Sequence, residues 1–342
     1  MIEYLSFHPF PGLASPHAQT IIACFNRAGR PPPSQPLIIK LPDGDALWCS
    51  LFVPTSWQPT QKTIIMVHGL GGSHLSNYMI RMSRKLYQNG YRVIAVNLRG
   101  CGPGRHLARL HYHGGNSQDI LAVLRALKQQ TPHSPFILLG FSLGGNIALK
   151  LAGELGAEGP SLLHQTLAVC PPIDLDTTVN LLSKPSNRLY LRYYLKNMQK
   201  QVEPWIGKRN YSTFYEFDNL VTAPNWGFQN AFDYYHQCSS LSFIPLIQHP
   251  CRVLFAMDDP FIDYRPILKA KLPSCMKASL CRFGGHMGFL GRIGKKHRYF
   301  WLDHLLQTWI NQADKPINQE DKQLSEIASL DPEAFAVTVK AE

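Results

Sequence analysis

The sequence predicts an α/β fold, with a mainly parallel central sheet, helices on both faces and a helical cap inserted into the core. Two observations carry this. Short β-branched or apolar runs alternate with segments whose apolar residues recur every three or four positions, the rhythm of strands joined by helical crossovers. That rhythm stops after Pro171-Pro172 and returns at Arg252. The 342 residues, 45% hydrophobic and 17% charged, suffice for a large core and are too apolar for a disordered chain.

Residues 1–36 are rich in Pro, Gly and His and end in Arg30-Pro31-Pro32-Pro33, so a stiff, extended amino-terminal arm is expected, with one apolar patch at Thr20 to Phe25. The first part of the core, 37–173, opens with two hairpin-like strands, Leu37 to Leu41 and Leu47 to Val53. Further strands fit Thr63 to Val67, Arg92 to Asn97, Phe136 to Phe141 and Thr166 to Cys170. Helices fit Ser76 to Gln88, Gln118 to Gln129 and Gly145 to Leu155, with Asn116 or Ser117 capping the second. Residues 174–247 are aromatic-rich and helical in pattern, and form the cap insertion. The second part of the core, 248–312, resumes with strands at Arg252 to Met257 and Ser279 to Phe283. It closes with an amphipathic helix from about His297 to Asn311. Residues 313–342 are polar, mixed in charge and read as a tail.

Several classes are excluded. No run approaches the roughly 18 consecutive apolar residues of a membrane-spanning helix. The amino end lacks the basic flank and apolar stretch of a secretory signal, so the chain is expected in the cytoplasm. The eight cysteines show no Cys-x-x-Cys pair, several sit in apolar runs, as Cys170 does, and they read as small buried hydrophobes of a reducing compartment. The net charge is +11, and its densest span runs through Lys184, Arg188, Arg192, Lys196, Lys200, Lys208 and Arg209 against Glu203 alone. No nucleic-acid motif accompanies it, and a solvated helical face is the reading; no nucleic-acid partner is expected, and contact with an anionic membrane surface is the alternative. Nothing in the sequence specifies an oligomeric state.

The sharpest chemical signal is Gly140-Phe141-Ser142-Leu143-Gly144-Gly145. A bare Gly-x-Ser-x-Gly would arise by chance in roughly one chain of this length in ten. Here it follows a strand and precedes a helix, which is the context a sharp nucleophile turn requires. Ser142 is then the candidate nucleophile, beside the partly positive amino end of the helix. His68-Gly69-Leu70-Gly71-Gly72, at another strand end, lets the backbone approach a substrate oxygen, so the amides of Leu70 and Leu143 are candidates for an oxyanion hole. His68 itself suits a structural hydrogen bond. The turn predicts the order serine, acid, histidine. His286 follows the last strand in a loop flanked by Gly284, Gly285 and Gly288, able to swing over Ser142. The acid follows the preceding strand: Asp259 is chosen, Asp258 stays open because alternation does not settle register at a strand end, and Asp263 is a weaker third candidate.

Other groupings carry less. His106, His111 and His113 cluster locally, but no nearby Cys, Asp or Glu completes a close ligand set, so no metal is expected. The stretch from Asn97 to Gly104 is glycine-rich after a strand, yet it lacks the endings of phosphate-binding and dinucleotide loops, and no cofactor is implied.

Together these motifs resemble the α/β-hydrolase superfamily, and within it the YheT-like hydrolases, over about residues 8 to 312. The carriers are Pro16-His17-Ala18-Gln19-Thr20, His68 to Ser73, Asn97 to Cys101, the Gly140 to Gly145 turn, Asp258-Asp259-Pro260 and Gly284 to Phe289. Gly114-Gly115 departs from the His-Ser-Gly expected after Tyr112-His113, which bears on one loop contact. The resemblance implies an α/β-hydrolase fold and a serine esterase with the triad Ser142, Asp259 and His286. It would cleave short- to medium-chain acyl esters or lipids through an acyl-enzyme. Acyltransferase, thioesterase and phospholipase chemistry would use the same residues, and a non-catalytic binding protein is the alternative from another class. No anchor helix of the kind found in animal relatives is legible. Tyr193, Tyr194, Trp205 and Phe214 are the aromatic candidates to line an apolar acyl pocket under the cap, with the cap's own core as the alternative.

Overall fold

The computed structural model describes residues 1–26, 28–292 and 300–314. Nine strands form one sheet: β1 (Ile2–Tyr4), β2 (Gln35–Lys40), β3 (Ala46–Phe52), β4 (Thr63–Val67), β5 (Arg92–Val96), β6 (Phe136–Phe141), β7 (Gln165–Val169), β8 (Cys251–Ala256) and β9 (Met276–Cys281). Their order is β1-β9-β8-β7-β6-β4-β5-β3-β2. β3 pairs antiparallel with β2 and β5, and every other pairing is parallel. Val67 lies opposite Gly140, and Gly140 opposite Ala168, so the carboxyl ends of β4, β6 and β7 are side by side. Loops at that edge are where open α/β sheets gather ligands.

Helices α1 (Pro16–Phe25), α2 (Asn77–Gln88), α3 (Ser117–Gln130), α4 (Leu143–Leu155) and the short α5 (Gly159–Leu162) belong to the first half. Between β7 and β8 come α6 (Leu175–Leu182), α7 (Arg188–Ile206), α8 (Phe214–Phe217), α9 (Ala223–Trp226) and α10 (Ala231–Cys238). α11 (Arg265–Lys269) and α12 (Trp301–Asn311) complete the described helices. Every residue of β4 to β8 is buried, which is why these strands read as continuous apolar runs. Their side chains still alternate: Ile64 and Met66 pack with α2 and α12, while Ile65 and Val67 face α3 and α4. Arg81 and Lys85 of α2 meet Asp303 of α12 at 2.6 and 2.8 Å, tying that helical layer together.

The segment between β7 and β8 packs its own residues Leu195, Met198, Val202, Phe214 and Phe217 against Val253 and Phe255 of β8. The Asp174 side chain caps α6 by accepting the Thr177 N–H at 3.0 Å. Pro204 in the last turn of α7 lacks the N–H that the Lys200 carbonyl would receive, and the Arg105 guanidinium donates there instead.

The amino-terminal arm differs from its expected extended form. β1 adds a parallel strand to β9, and residues 16–25 form a helix with Ser15 as cap and Pro16 at its first position, a start signal that was present in the sequence. β9 begins three residues before the expected Ser279, because Lys277 is drawn into the sheet beside Glu3 of β1, 3.8 Å away. The remainder of the expected tail beyond Asp314, and 297–299 of the last expected helix, lie outside the described residues.

Candidate active site

β6 delivers its last residues into a turn that only small neighbours permit. Ser142 sits at φ 51°, ψ −120°, in the left-handed half of backbone space that costs a non-glycine residue on the order of 1–3 kcal/mol. A Cβ on Gly140 would lie 2.2 Å from the Gly144 carbonyl oxygen, and one on Gly144 would lie 2.4 Å from that of Val67. The Ser142 N–H donates to the Val169 carbonyl at 2.8 Å, so β7 holds the strained turn in place. α4 starts at Leu143, whose N–H has no intrahelical acceptor.

His286 Nε2 lies 2.9 Å from Ser142 Oγ, and its Nδ1 lies 2.8 Å from Asp259 Oδ2. The other oxygen of Asp259 accepts the N–H groups of Phe261 and Ile262 at 3.1 and 3.0 Å, which aims the carboxylate. Asp258 points elsewhere. Its Oδ1 accepts the Gly285 N–H at 2.9 Å, and burial pushes its pKa up to about 6. Geometry therefore separates the two aspartates: one meets the imidazole, the other holds the backbone of the histidine loop. Asp263 is paired with Arg265. With Nδ1–H given to Asp259, Nε2 is free to accept the serine proton.

Sequence reasoning gave no role to α1. Thr20 Oγ1 accepts the His286 N–H at 2.8 Å while donating to the Pro16 carbonyl at 2.7 Å. Gln19 Nε2 donates to the carbonyls of Leu13 (2.7 Å) and Leu290 (3.0 Å), and its Oε1 accepts the Leu290 N–H at 2.6 Å. The glycines around His286 serve this contact rather than a swinging loop. A Cβ on Gly285 would lie 2.3 Å from the Pro16 oxygen, and one on Gly288 would lie 2.6 Å from that of Gln19. The available signal was a Gln-Thr pair buried inside an otherwise apolar helical stretch.

The turn after β4 is fastened on both sides of Leu70. Gly69 N–H donates to the Tyr78 hydroxyl at 2.8 Å, and Gly71 N–H to the Tyr112 hydroxyl at 2.7 Å. A Cβ on Gly69 would be 3.0 Å from Ser142 Cβ, so this backbone runs directly against the serine. His68 is structural: Nδ1 donates to the Gly69 carbonyl at 2.8 Å, Nε2 accepts the Leu98 N–H at 3.2 Å, and burial brings its pKa down to about 4. Asn97 straps the same loop through the His74 N–H at 3.0 Å and the Trp48 carbonyl at 3.0 Å. Arg99 grips Asp119 with two bonds of 2.7 and 2.8 Å, and also reaches Asp43 and Asp45. These contacts give the Asn97 to Gly104 stretch a scaffolding role.

His111 and His113 are buried with pKa values pushed down to about 4 and about 3, and His106 is exposed. His113 packs against Trp226, Phe228 and Tyr234. Gly114 N–H donates to the Tyr234 hydroxyl at 2.8 Å, and a Cβ on Gly115 would meet Cys238 Sγ at 2.3 Å, so this loop needs the glycine at 115. Among the described residues, one grouping has metal-ligand spacing: Cys170, Asp259 and His286, with ligand atoms within 4.8 Å of one another. Burial holds the Cys170 thiol well above its ordinary range, hence protonated, and both imidazole nitrogens are already engaged.

Ser142, Leu70 and Leu143 border an open cavity of ≈ 580 Å³ whose wall is mainly apolar: Leu175, Val179, Leu182, Met198, Phe261 and Ile262 contribute. Of the four aromatic residues expected there, Tyr194 and Phe214 line it and two do not. Tyr194 and Met198 are one turn apart on the inner face of α7, whereas Tyr193, about 100° around the helix, is exposed. Trp205 instead packs over Gly100. Among the described residues Asp218 is the one carboxylate in the wall, bonded to the hydroxyls of Thr222 (2.7 Å) and Tyr235 (2.8 Å), and burial pushes it up to about 6.

A family model described as the alpha/beta hydrolase fold matches residues 62–290. YheT of Escherichia coli (strain K12), provisionally named an esterase, is 30% identical over 324 residues, covering 89% of this chain and 92% of its own. Phospholipase ABHD3 of Homo sapiens is 26% identical over 310 residues, covering 85% of this chain and 75% of its own. The solved structure of the Pyrococcus furiosus esterase Pf2001 aligns with a TM-score of 0.52 at 17% identity, over 75% of this chain and 86% of that one, a likeness of fold. Among the described residues, no helix is long and apolar enough to cross a membrane.

Proposed function

From the premise that the chain belongs to the α/β-hydrolase fold family, we propose that it is a serine hydrolase of carboxylic esters with short- to medium-chain acyl groups. Ser142 Oγ attacks the ester carbonyl as its proton passes to His286 Nε2, and Asp259 stabilises the imidazolium that forms. The amides of Leu70 and Leu143 receive the negative charge on the carbonyl oxygen. Collapse expels the alcohol, which takes the proton from His286 and leaves an acyl-Ser142 ester. Water then attacks with the same histidine as base, releasing the carboxylic acid and the free serine. The apolar cavity beside Ser142 accepts the acyl chain.

The observation that carries this reading is the continuous contact Ser142–His286–Asp259 on the rim of an apolar cavity. The relatives named esterase and phospholipase agree with it. A fluorophosphonate probe should label Ser142, and Ser142→Ala should lower kcat on p-nitrophenyl butyrate by on the order of 10⁶-fold while leaving thermal unfolding near the parent. An unlabelled serine or an unchanged rate would remove the assignment. A series of p-nitrophenyl esters of rising chain length then locates the optimum.

A further inference from the structure

The elements that frame the cavity turn a second face to solvent. α7 directs Tyr194 and Met198 inward, and on its opposite side Arg192, Lys196 and Lys200 recur at four-residue spacing, all exposed. Arg188 begins the same ridge. Glu203 is the only carboxylate of the helix, and among the described residues none of these four cations has an ion-pair partner.

Large apolar side chains are exposed on α7 and on two segments that adjoin it. Leu189 is 73% exposed, Phe25 of α1 70% and Leu75, before α2, 55%. The three segments adjoin: the His17 ring stacks on Tyr190, Asn77 donates to the Cys24 carbonyl at 2.8 Å, and Gly71 backs onto Asn197. Scattered exposed apolar residues are ordinary. Here they sit on three touching segments, one of which, α7, carries the row of cations without ion-pair partners, a combination suited to a surface offering anionic phosphates above hydrocarbon. A nucleic-acid backbone would use the cations and leave Phe25, Leu75 and Leu189 in water.

We propose that this face docks on an anionic lipid bilayer, with Arg188, Arg192, Lys196 and Lys200 on lipid phosphates and the three apolar side chains at the acyl boundary. Docking is independent of the chemistry at Ser142. Each Lys or Arg near an anionic surface strengthens binding about fivefold, so removing three charges should weaken it on the order of 100-fold.

The test uses the full chain carrying Ser142→Ala, so that binding is read without turnover. It is co-sedimented with vesicles of phosphatidylcholine alone or of equimolar phosphatidylcholine and phosphatidylglycerol. Binding is expected on the anionic vesicles only, lowered on the order of 100-fold by R192Q/K196Q/K200Q and also lowered by F25S/L189S. With Ser142 restored, both variants should hydrolyse soluble p-nitrophenyl butyrate at the parent rate and unfold at the parent temperature. Equal binding to neutral vesicles, no binding, an unaffected triple variant, or charge-dependent retention on duplex DNA alone would overturn the proposal. A parent inactive on the soluble ester whose vesicle binding still follows these residues removes the esterase reading and keeps the surface; the converse removes only the surface.

Discussion

Thr20→Val tests whether α1 sets the position of the histidine. Valine keeps the volume and β-branch of threonine but removes both the acceptor of the His286 N–H (2.8 Å) and the donor to the Pro16 carbonyl (2.7 Å). A buried N–H left without a partner costs about 1–3 kcal/mol. Relief requires the loop to move, and that loop carries an imidazole whose two bonds are 2.8 and 2.9 Å long. A misplacement of about 1 Å at a reacting group lowers rate on the order of 100-fold, so kcat on p-nitrophenyl butyrate should fall by about 10- to 100-fold. KM should change little, because Thr20 is not part of the cavity wall. Urea unfolding should register a loss of about 1–3 kcal/mol. Thr20→Ser restores both hydrogen bonds and should recover most of kcat. A valine variant with parental kcat, a change confined to KM, or a serine variant no better than valine would refute the reasoning.

Asp259→Asn should lower kcat on the order of 10⁴-fold by presenting the wrong hydrogen-bond partner to Nδ1. Asp258→Asn keeps an oxygen for the Gly285 N–H and should cost less than about tenfold; comparable losses at both positions would contradict the geometry. Stability should fall on acidification. His68, His111 and His249 are brought down to about 4 by burial, and His113 to about 3, so below about 6.5 the unfolded chain binds protons that the folded chain does not. Each such histidine removes up to about 1.4 kcal/mol per pH unit between its unfolded and folded pKa. Asp218 and Asp258, raised to about 6, act in the opposite sense as pH drops, but four histidines outweigh two aspartates. Urea unfolding between neutral pH and the acid range reads the slope, and a flat or rising stability would count against these burial effects.

The central sheet was legible because strands buried on both faces must be apolar throughout, as β4 to β8 are. The turn at Ser142 was legible because its geometry admits so few residues at 140 and 144. The choice between Asp258 and Asp259 rests on which carboxylate the amides of Phe261 and Ile262 hold, and two adjacent aspartates carry no sequence mark of that. The roles of Gln19 and Thr20 were hidden by distance, since their partners Leu290 and His286 lie 271 and 266 positions away. Tyr193 and Tyr194 show the remaining limit. A helix can be recognised without knowing which of two adjacent rings its neighbours will enclose.

The pairing of β1 with β9, and of Thr20 with the His286 loop, joins an earlier-synthesised stretch to a much later one. During translation α1 must wait for its partner: at about 5–20 residues per second, a separation of 266 positions means a delay on the order of 10–50 s. A nascent polypeptide halted short of residue 286 holds a serine with no imidazole beside it. Ribosome-bound fragments should therefore stay inert towards fluorophosphonates until residue 286 has emerged.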